Sequence, residues 1–193
     1  MNAEGDPLGL VRAIVEGGVR IVQYRAKTGI VPAQATALRE LTRACDALFL
    51  INDDWRAVER FDADGVHLGP DDAGFEALPD IRRALAGRII GVSCGTVDEA
   101  RVMQAGGADY IGAGSVYATR SKSDAGAPIG LDGLRDICAA TPLPVAAIGG
   151  IAAENLRDVR ATGVAMAAMI SALSSAADPR AAAAALVSAW NAA

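Results

Sequence analysis

One unit recurs along this chain and leaves few folds open. A helical stretch ends at a glycine, a few residues turn, and a short apolar run follows. "VRAIVEGGVRIVQYR" carries it first, with Gly17 and Gly18 as the expected helix stop. "AVERFDADGVHLG", "ARVMQAGGADYIGAGSV" and "LRDVRATGVAMAAMIS" repeat it, while "DALFLIND", "GRIIGVSC" and "PLPVAAIGG" start their apolar runs after polar or proline stops. These runs are continuously apolar rather than alternating, the mark of parallel strands covered on both faces. Strands are expected around 20–24, 48–52, 65–68, 89–93, 109–114, 144–149 and 165–171. Their alternation with helices predicts an α/β fold with a parallel sheet.

The 193 residues suffice for one core, and with 52% hydrophobic but only 4% aromatic residues that core must be Ala, Val, Ile and Leu. A closed (β/α)8 barrel needs eight strands and roughly 200 residues. The first recognisable element here is a helix, "PLGLVRAIVEGG", so the expectation is a single TIM (β/α)8 barrel domain over 1–193 that lacks its first β-strand. A doubly wound sheet is the alternative, although no GxGxxG opens a helix after a strand.

The net charge of −5 argues against a nucleic-acid partner, which needs a basic surface. Cys45, Cys94 and Cys138 are widely spaced without a CxxC pair, against both a disulfide framework and a zinc site. "MNAEGDPLGL" is not a signal peptide, and no apolar stretch reaches a membrane span. A cytoplasmic protein acting on small molecules is expected, with homo-oligomerisation left open.

Polar residues follow the strands, at the end where a barrel carries its active site. Arg25 and Lys27 stand two apart in "QYRAK" and suit a phosphate or diphosphate, or else a solvated strand end. Asp53 and Asp72 end consecutive strands beside Asn52. Two such carboxylates can cradle Mg²⁺ with substrate phosphates, or cap the following helices, a role that suits Asp54 and Asp71 better. "SVYATRSKSDAGAPIG" is long for a joint and holds Thr119, Ser121 and Lys122, so it reads as a lid over an anion or as a plain surface loop. Gly149, Gly150 and Ser171 fit either a backbone phosphate site or a turn that requires glycine. His67, the only histidine, reads as a satisfied core residue, and Cys94 as a buried bystander. A Ser-His-Asp or Cys-His nucleophile cannot be assembled.

In this order, "VQYRAK", "INDD", "ADGVHLGPDD", "GVSCGTVDEA", "GADYIGAGSVYATRSKSDAGAPIGLDGL" and "PVAAIGGI" resemble the thiamine-phosphate synthase family over nearly the whole chain. The resemblance implies a (β/α)8 barrel transferase of thiamine biosynthesis that joins a pyrimidine diphosphate to a thiazole phosphate and releases pyrophosphate. It implies that Gln23, Tyr24, Arg25, Ala26 and Lys27 bind the pyrimidine diphosphate with Asn52, Ser93 and Lys122. It implies Mg²⁺ on Asp53 and Asp72, and a thiazole phosphate on Thr119, Arg120, Ser121, Gly150, Ile170 and Ser171. Arg25, Lys27 and Lys122 would neutralise the leaving group. The chain departs from the family at Gly95, where a histidine is usual, at Pro70, where glutamine is common, and at Arg120 and Ser121 in the loop. A related thiazole tautomerase is expected to use a histidine at position 95 and to lack the diphosphate and magnesium set. A phosphate-binding barrel without catalysis is the third reading.

Overall fold

The computed structural model describes residues 6–26, 28–119 and 127–192. Helices and strands alternate as α1 (Pro7–Glu16), β1 (Ile21–Tyr24), α2 (Pro32–Ala44), β2 (Leu48–Asn52), α3 (Ala57–Arg60), β3 (Gly65–Leu68), α4 (Pro70–Ala84), β4 (Ile89–Cys94), α5 (Val97–Gly106), β5 (Tyr110–Ala113), α6 (Gly130–Ala140), β6 (Val145–Ile148), α7 (Leu156–Arg160), β7 (Met166–Ala168), α8 (Ser171–Ser174) and α9 (Pro179–Ala192). The expected strands are all present. Only the last differs by more than a residue at an end: β7 stops at Ala168 because Ser171 already opens α8.

The strands form one seven-stranded parallel sheet in the order β1-β2-β3-β4-β5-β6-β7. Each pairs with its neighbour in sequence: Val22 with Phe49, Asn52 with His67, His67 with Gly91, Ser93 with Gly112, Ala113 with Ala147, and Ile148 with Ala168. A doubly wound sheet reverses direction at a switch point. This order never reverses, so the winding is that of a barrel and the doubly wound alternative falls. No helix among the described residues is long and apolar enough to cross a membrane.

The residues that stop the helices explain the repeat. Gly18 (φ 103°), Gly107 (φ 98°) and Gly163 (φ 95°) take left-handed backbone after α1, α5 and α7. After α3 the expected glycine is not the stop. Asp62 adopts φ 48° instead, and Gly65 lies inside β3, where an added Cβ would come within 2.0 Å of the Ile89 carbonyl oxygen. Asp tolerates that conformation better than most side chains.

Between sheet and helices lies one continuous apolar layer. Val22, Phe49, Ile51, Val66, Leu68, Ile90 and Ile111 of the strands meet Val11, Leu38, Leu78, Leu134, Ile137 and Leu156 of the helices. At the N-terminal ends of the strands, two aspartates close the layer. Asp64 accepts from Phe49 N at 2.8 Å and from both terminal nitrogens of Arg39 on α2, at 2.7 and 2.9 Å. Asp109 accepts from Ile90 N and from Arg82 on α4, both at 2.7 Å. Parallel strands pairing in this sequence leave all their C-terminal ends on the opposite face.

Candidate active site

At that opposite face the strands alternate between an inner and an outer side. Gln23 points inward and its amide donates to Asn52 Oδ1 at 2.5 Å, joining β1 to β2. Tyr24 points the other way. It is 1% exposed, stacks on Phe49 with ring centroids 6.3 Å apart, and donates its hydroxyl to Gln34 Oε1 on α2 at 2.6 Å. Its side chain therefore serves the helix layer. Arg25 follows, half-buried, and among the described residues it has no ion-pair partner. Ala26 is half-buried beside it; Lys27 lies outside the described residues.

The end of β2 turns sharply. Asp53 takes φ 68°, its N–H donates to His67 O at 2.9 Å, and Asp54 N and Trp55 N donate back to Asn52 and Asp53 carbonyls. The turn holds Asp53 at the strand-end face beside β3. Asp72 lies in the first turn of α4, which leaves β3 directly. The capping role expected of Asp54 goes unfilled: the N-cap of α3 is Arg56, with no side-chain cap, and Asp71 lies inside α4.

A polar chain crosses the inner face of β3, β4 and β5. His67 Nδ1 is 2.8 Å from the Tyr110 hydroxyl and His67 Nε2 is 2.9 Å from Ser93 Oγ. Glycines make room for it. A Cβ on Gly91 would lie 2.0 Å from the Tyr110 ring, and one on Gly112 would lie 2.7 Å from His67 Cε1. His67 is thus the satisfied histidine that the sequence suggests. Tyr110 is not among the sequence candidates; the available signal is an aromatic residue opening an Ala- and Gly-rich strand. Burial pushes its phenol well above the ordinary tyrosine value, so it stays protonated. Cys94 is 3% exposed, and burial, with a smaller contribution from the Glu99 charge, pushes its thiol up to about 12. Both features disfavour the thiolate, in keeping with a buried bystander. Beside it, Gly95 N donates to Glu99 Oε2 at 2.6 Å, and an added Cβ would find nothing nearer than 3.7 Å, so a side chain has room there.

The segment after β5 is pinned at its base. Val116 N and Tyr117 N donate to Ile148 and Gly149 carbonyls, and Ile129 N and Gly130 N donate to Ser115 and Val116 carbonyls. Gly149 (φ 99°) and Gly150 (φ 65°) permit that approach: their added Cβ atoms would sit 2.0 Å from Ser115 Oγ and 2.7 Å from Tyr117 Cβ. Asn155, absent from the sequence candidates, donates to Gly150 O and accepts from Ala152 N, both at 2.9 Å, and fixes this turn. Thr119 is half-buried at the edge of the segment; Arg120, Ser121 and Lys122 lie outside the described residues. Ile170 is the N-cap of α8 and Ser171 its first residue, exposed at the end of β7. Gln23, Asn52, Asp53, Ser93, Gly150 and Ser171, far apart in sequence, therefore share one face.

Known proteins resemble this chain closely. The family model for thiamine monophosphate synthase matches residues 1–173. A thiamine-phosphate synthase of Moorella thermoacetica is 46% identical over 184 residues, covering 91% of this chain and 84% of that protein. The chain belongs to the thiamine monophosphate synthase family. A second member, from Caldivirga maquilingensis, is 39% identical over 93% of this chain and 87% of its own. Among solved structures, the thiamine phosphate pyrophosphorylase of Pyrococcus furiosus superposes with a TM-score of 0.87 at 38% identity, covering 96% of this chain and 89% of that one. A 3-hexulose-6-phosphate synthase at 20% identity and TM-score 0.71 shares the fold. These relatives are synthases by name.

Proposed function

We propose that this chain is a thiamine-phosphate synthase, a transferase of thiamine biosynthesis acting on two small molecules. The observation that carries the reading is the high similarity to named synthases over nearly the whole chain, joined to a strand-end face that gathers Gln23, Asn52, Asp53 and Ser93.

Gln23, Arg25, Lys27, Asn52, Ser93 and Lys122 take the pyrimidine diphosphate, with the backbone of Tyr24 and Ala26 completing the strand end. Thr119, Arg120, Ser121, Gly150, Ile170 and Ser171 take the thiazole phosphate. The bond from the pyrimidine's methylene carbon to the diphosphate oxygen breaks, and its electron pair leaves with the diphosphate. The thiazole nitrogen lone pair then forms the new C–N bond, giving thiamine phosphate. Neither step needs a protein nucleophile or strong base. Arg25, Lys27 and Lys122 stabilise the charge growing on the leaving oxygens, and the face holds the two rings in line.

Mg²⁺ fits the donor set. Asp53, just past β2, and Asp72, in the first turn of α4 that follows β3, would offer hard carboxylate oxygens, with substrate phosphates and water completing the shell. Mg²⁺ held by Asp53 and Asp72 would supply positive charge to the leaving diphosphate. The barrel reading adds one strand between β7 and β1; it is supported by the sequential winding and by β7, whose three residues all stay half-buried. One barrel domain in the cytoplasm follows from the same reading.

The test is an assay with pyrimidine diphosphate, thiazole phosphate and Mg²⁺, reading thiamine phosphate by chromatography beside an EDTA control. Product that vanishes with EDTA is expected. Folded protein without product refutes the assignment, and product unaffected by EDTA refutes the metal.

A further inference from the structure

Asn155 stands where a helix cap should stand and does not cap. It is the N-cap residue of α7, yet its side chain accepts no N–H from that helix. Asparagine is favoured at this position because its side-chain oxygen can satisfy one of the first N–H groups of the helix. Here the amide turns back instead. Its Nδ2 donates to Gly150 O and its Oδ1 accepts from Ala152 N, both at 2.9 Å. The side chain thus braces the backbone from 150 to 152 and leaves α7 without its cap.

The turn it braces needs holding. Gly149 (φ 99°) and Gly150 (φ 65°) both have left-handed backbone and no side chain to restrain it. Gly149 O accepts from Tyr117 N at 3.0 Å, so the trans peptide directs the Gly150 N–H away from the segment after β5. One bond fixes that carbonyl but lets its peptide plane rock. The second hold is the bond from Asn155 to Gly150 O, in the next plane. Gly150 is exposed, and its N–H meets no acceptor among the described residues. A backbone donor held from both sides and unused within the chain is preorganised for an anion.

We propose that Asn155 is a positioning residue which fixes the Gly150 N–H so that it donates to the thiazole phosphate. It acts through Gly150 rather than by touching the substrate. The identity of the anion rests on the function proposed above; the clamp does not.

Gly–Gly pairs occur only at 17–18, 106–107 and 149–150. Protein labelled with ¹³C-carbonyl, ¹⁵N-glycine therefore gives three peaks in a carbonyl-filtered ¹H–¹⁵N spectrum, those of Gly18, Gly107 and Gly150. Gly18 and Gly107 follow α1 and α5 at the other end of the sheet and report that the fold is intact. Thiazole phosphate should move the Gly150 peak and leave the other two. In Asn155→Ala the Gly150 peak should shift before any ligand is added. KM for thiazole phosphate should rise about tenfold, the worth of one hydrogen bond, with KM for the pyrimidine diphosphate unchanged. Asn155→Asp keeps the acceptor for Ala152 N but loses the donor to Gly150 O, and should raise the same KM. A wild-type KM in either variant overturns the proposal, as does an equal rise for both substrates, the mark of general loosening. Turnover by wild type with an unmoved Gly150 peak overturns it too, while the synthase reading stands. A Gly150 peak that moves without turnover sinks the synthase reading and leaves the clamp; neither turnover nor movement sinks both.

Discussion

Asp64→Ala should be among the most costly single changes outside the site. The carboxylate accepts three hydrogen bonds, two from the Arg39 guanidinium and one from Phe49 N, and the two side chains are only 12% and 22% exposed. Arg39 Nε is buried and finds no partner among the described residues, so there the guanidinium relies on Asp64 for its bonding. Removing one partner of such a pair leaves a largely desolvated charge, and full burial would cost 3–5 kcal/mol. Partial exposure puts the expectation at the lower end, about 3 kcal/mol, or roughly 6–12 °C in Tm for a chain of this size. Urea unfolding followed by circular dichroism reads it. A cycle with Arg39→Ala and the double variant should return a coupling energy of about 2 kcal/mol. Asp132→Ala, which breaks the Asp132–Arg135 pair at 96% and 50% exposure, should change nothing measurable. A destabilisation below about 1 kcal/mol for Asp64→Ala, or no coupling to Arg39, would refute the reasoning.

Three further outcomes are expected. Lys122→Ala should cut turnover about 10²–10³-fold, as deletion of one preorganised donor does elsewhere, with the circular dichroism spectrum and Tm unchanged; steady-state assay checks it. Cys94, with its thiol raised to about 12 and 3% exposed, should resist an aromatic disulfide reagent in native protein at pH 8 and react only after unfolding, as mass spectrometry of the labelled peptides will show. The bond from Arg88, and next that from Arg43, hold Asp62 below its ordinary 3.8. A lowered carboxylate pKa contributes stability above the unfolded value and loses it as pH falls through the folded one. Asp62→Asn should therefore be less stable than wild type at pH 7, and the difference should shrink as the pH falls below the ordinary carboxylate value, by urea unfolding across an acid series.

The strands were legible because burial on both faces erases polar alternation: "LFLIN" and "IIGVSC" can be little else in a chain this alternating. Side-chain direction was legible too, but the contiguous motif "QYRAK" obscures it. Positions two apart share a strand face, so Gln23 and Arg25 lie together and Tyr24 faces α2. Register was not legible. The meeting of His67 with Ser93 and Tyr110 depends on how β3, β4 and β5 slide past one another, which periodicity within each strand does not fix. Asp62 as the α3 stop was hidden for another reason: its left-handed backbone sits three residues before a glycine that looks better suited and is used for strand packing instead.

The two ends of the sheet divide stability from chemistry by the kind of polar bond they use. At the N-terminal ends, charge meets charge within the chain: Arg39 with Asp64, Arg82 with Asp109, Arg43 and Arg88 with Asp62. Toward the C-terminal ends the inner bonds described pair no carboxylate with a cation: Gln23 with Asn52, and His67 with Ser93, Tyr110 reaching His67 from the start of β5. Such bonds suffice to hold side chains in register there without consuming the cations an anionic substrate needs. Arg25, half-buried with no ion-pair partner among the described residues, bears the cost of that arrangement, since a cation without a counter-charge gives up solvation. An anion supplied by the substrate would relieve it. Diphosphate alone, without the pyrimidine, should therefore raise the Tm of wild type and shift that of Arg25→Ala much less. An equal shift in both would place the anion elsewhere on the face.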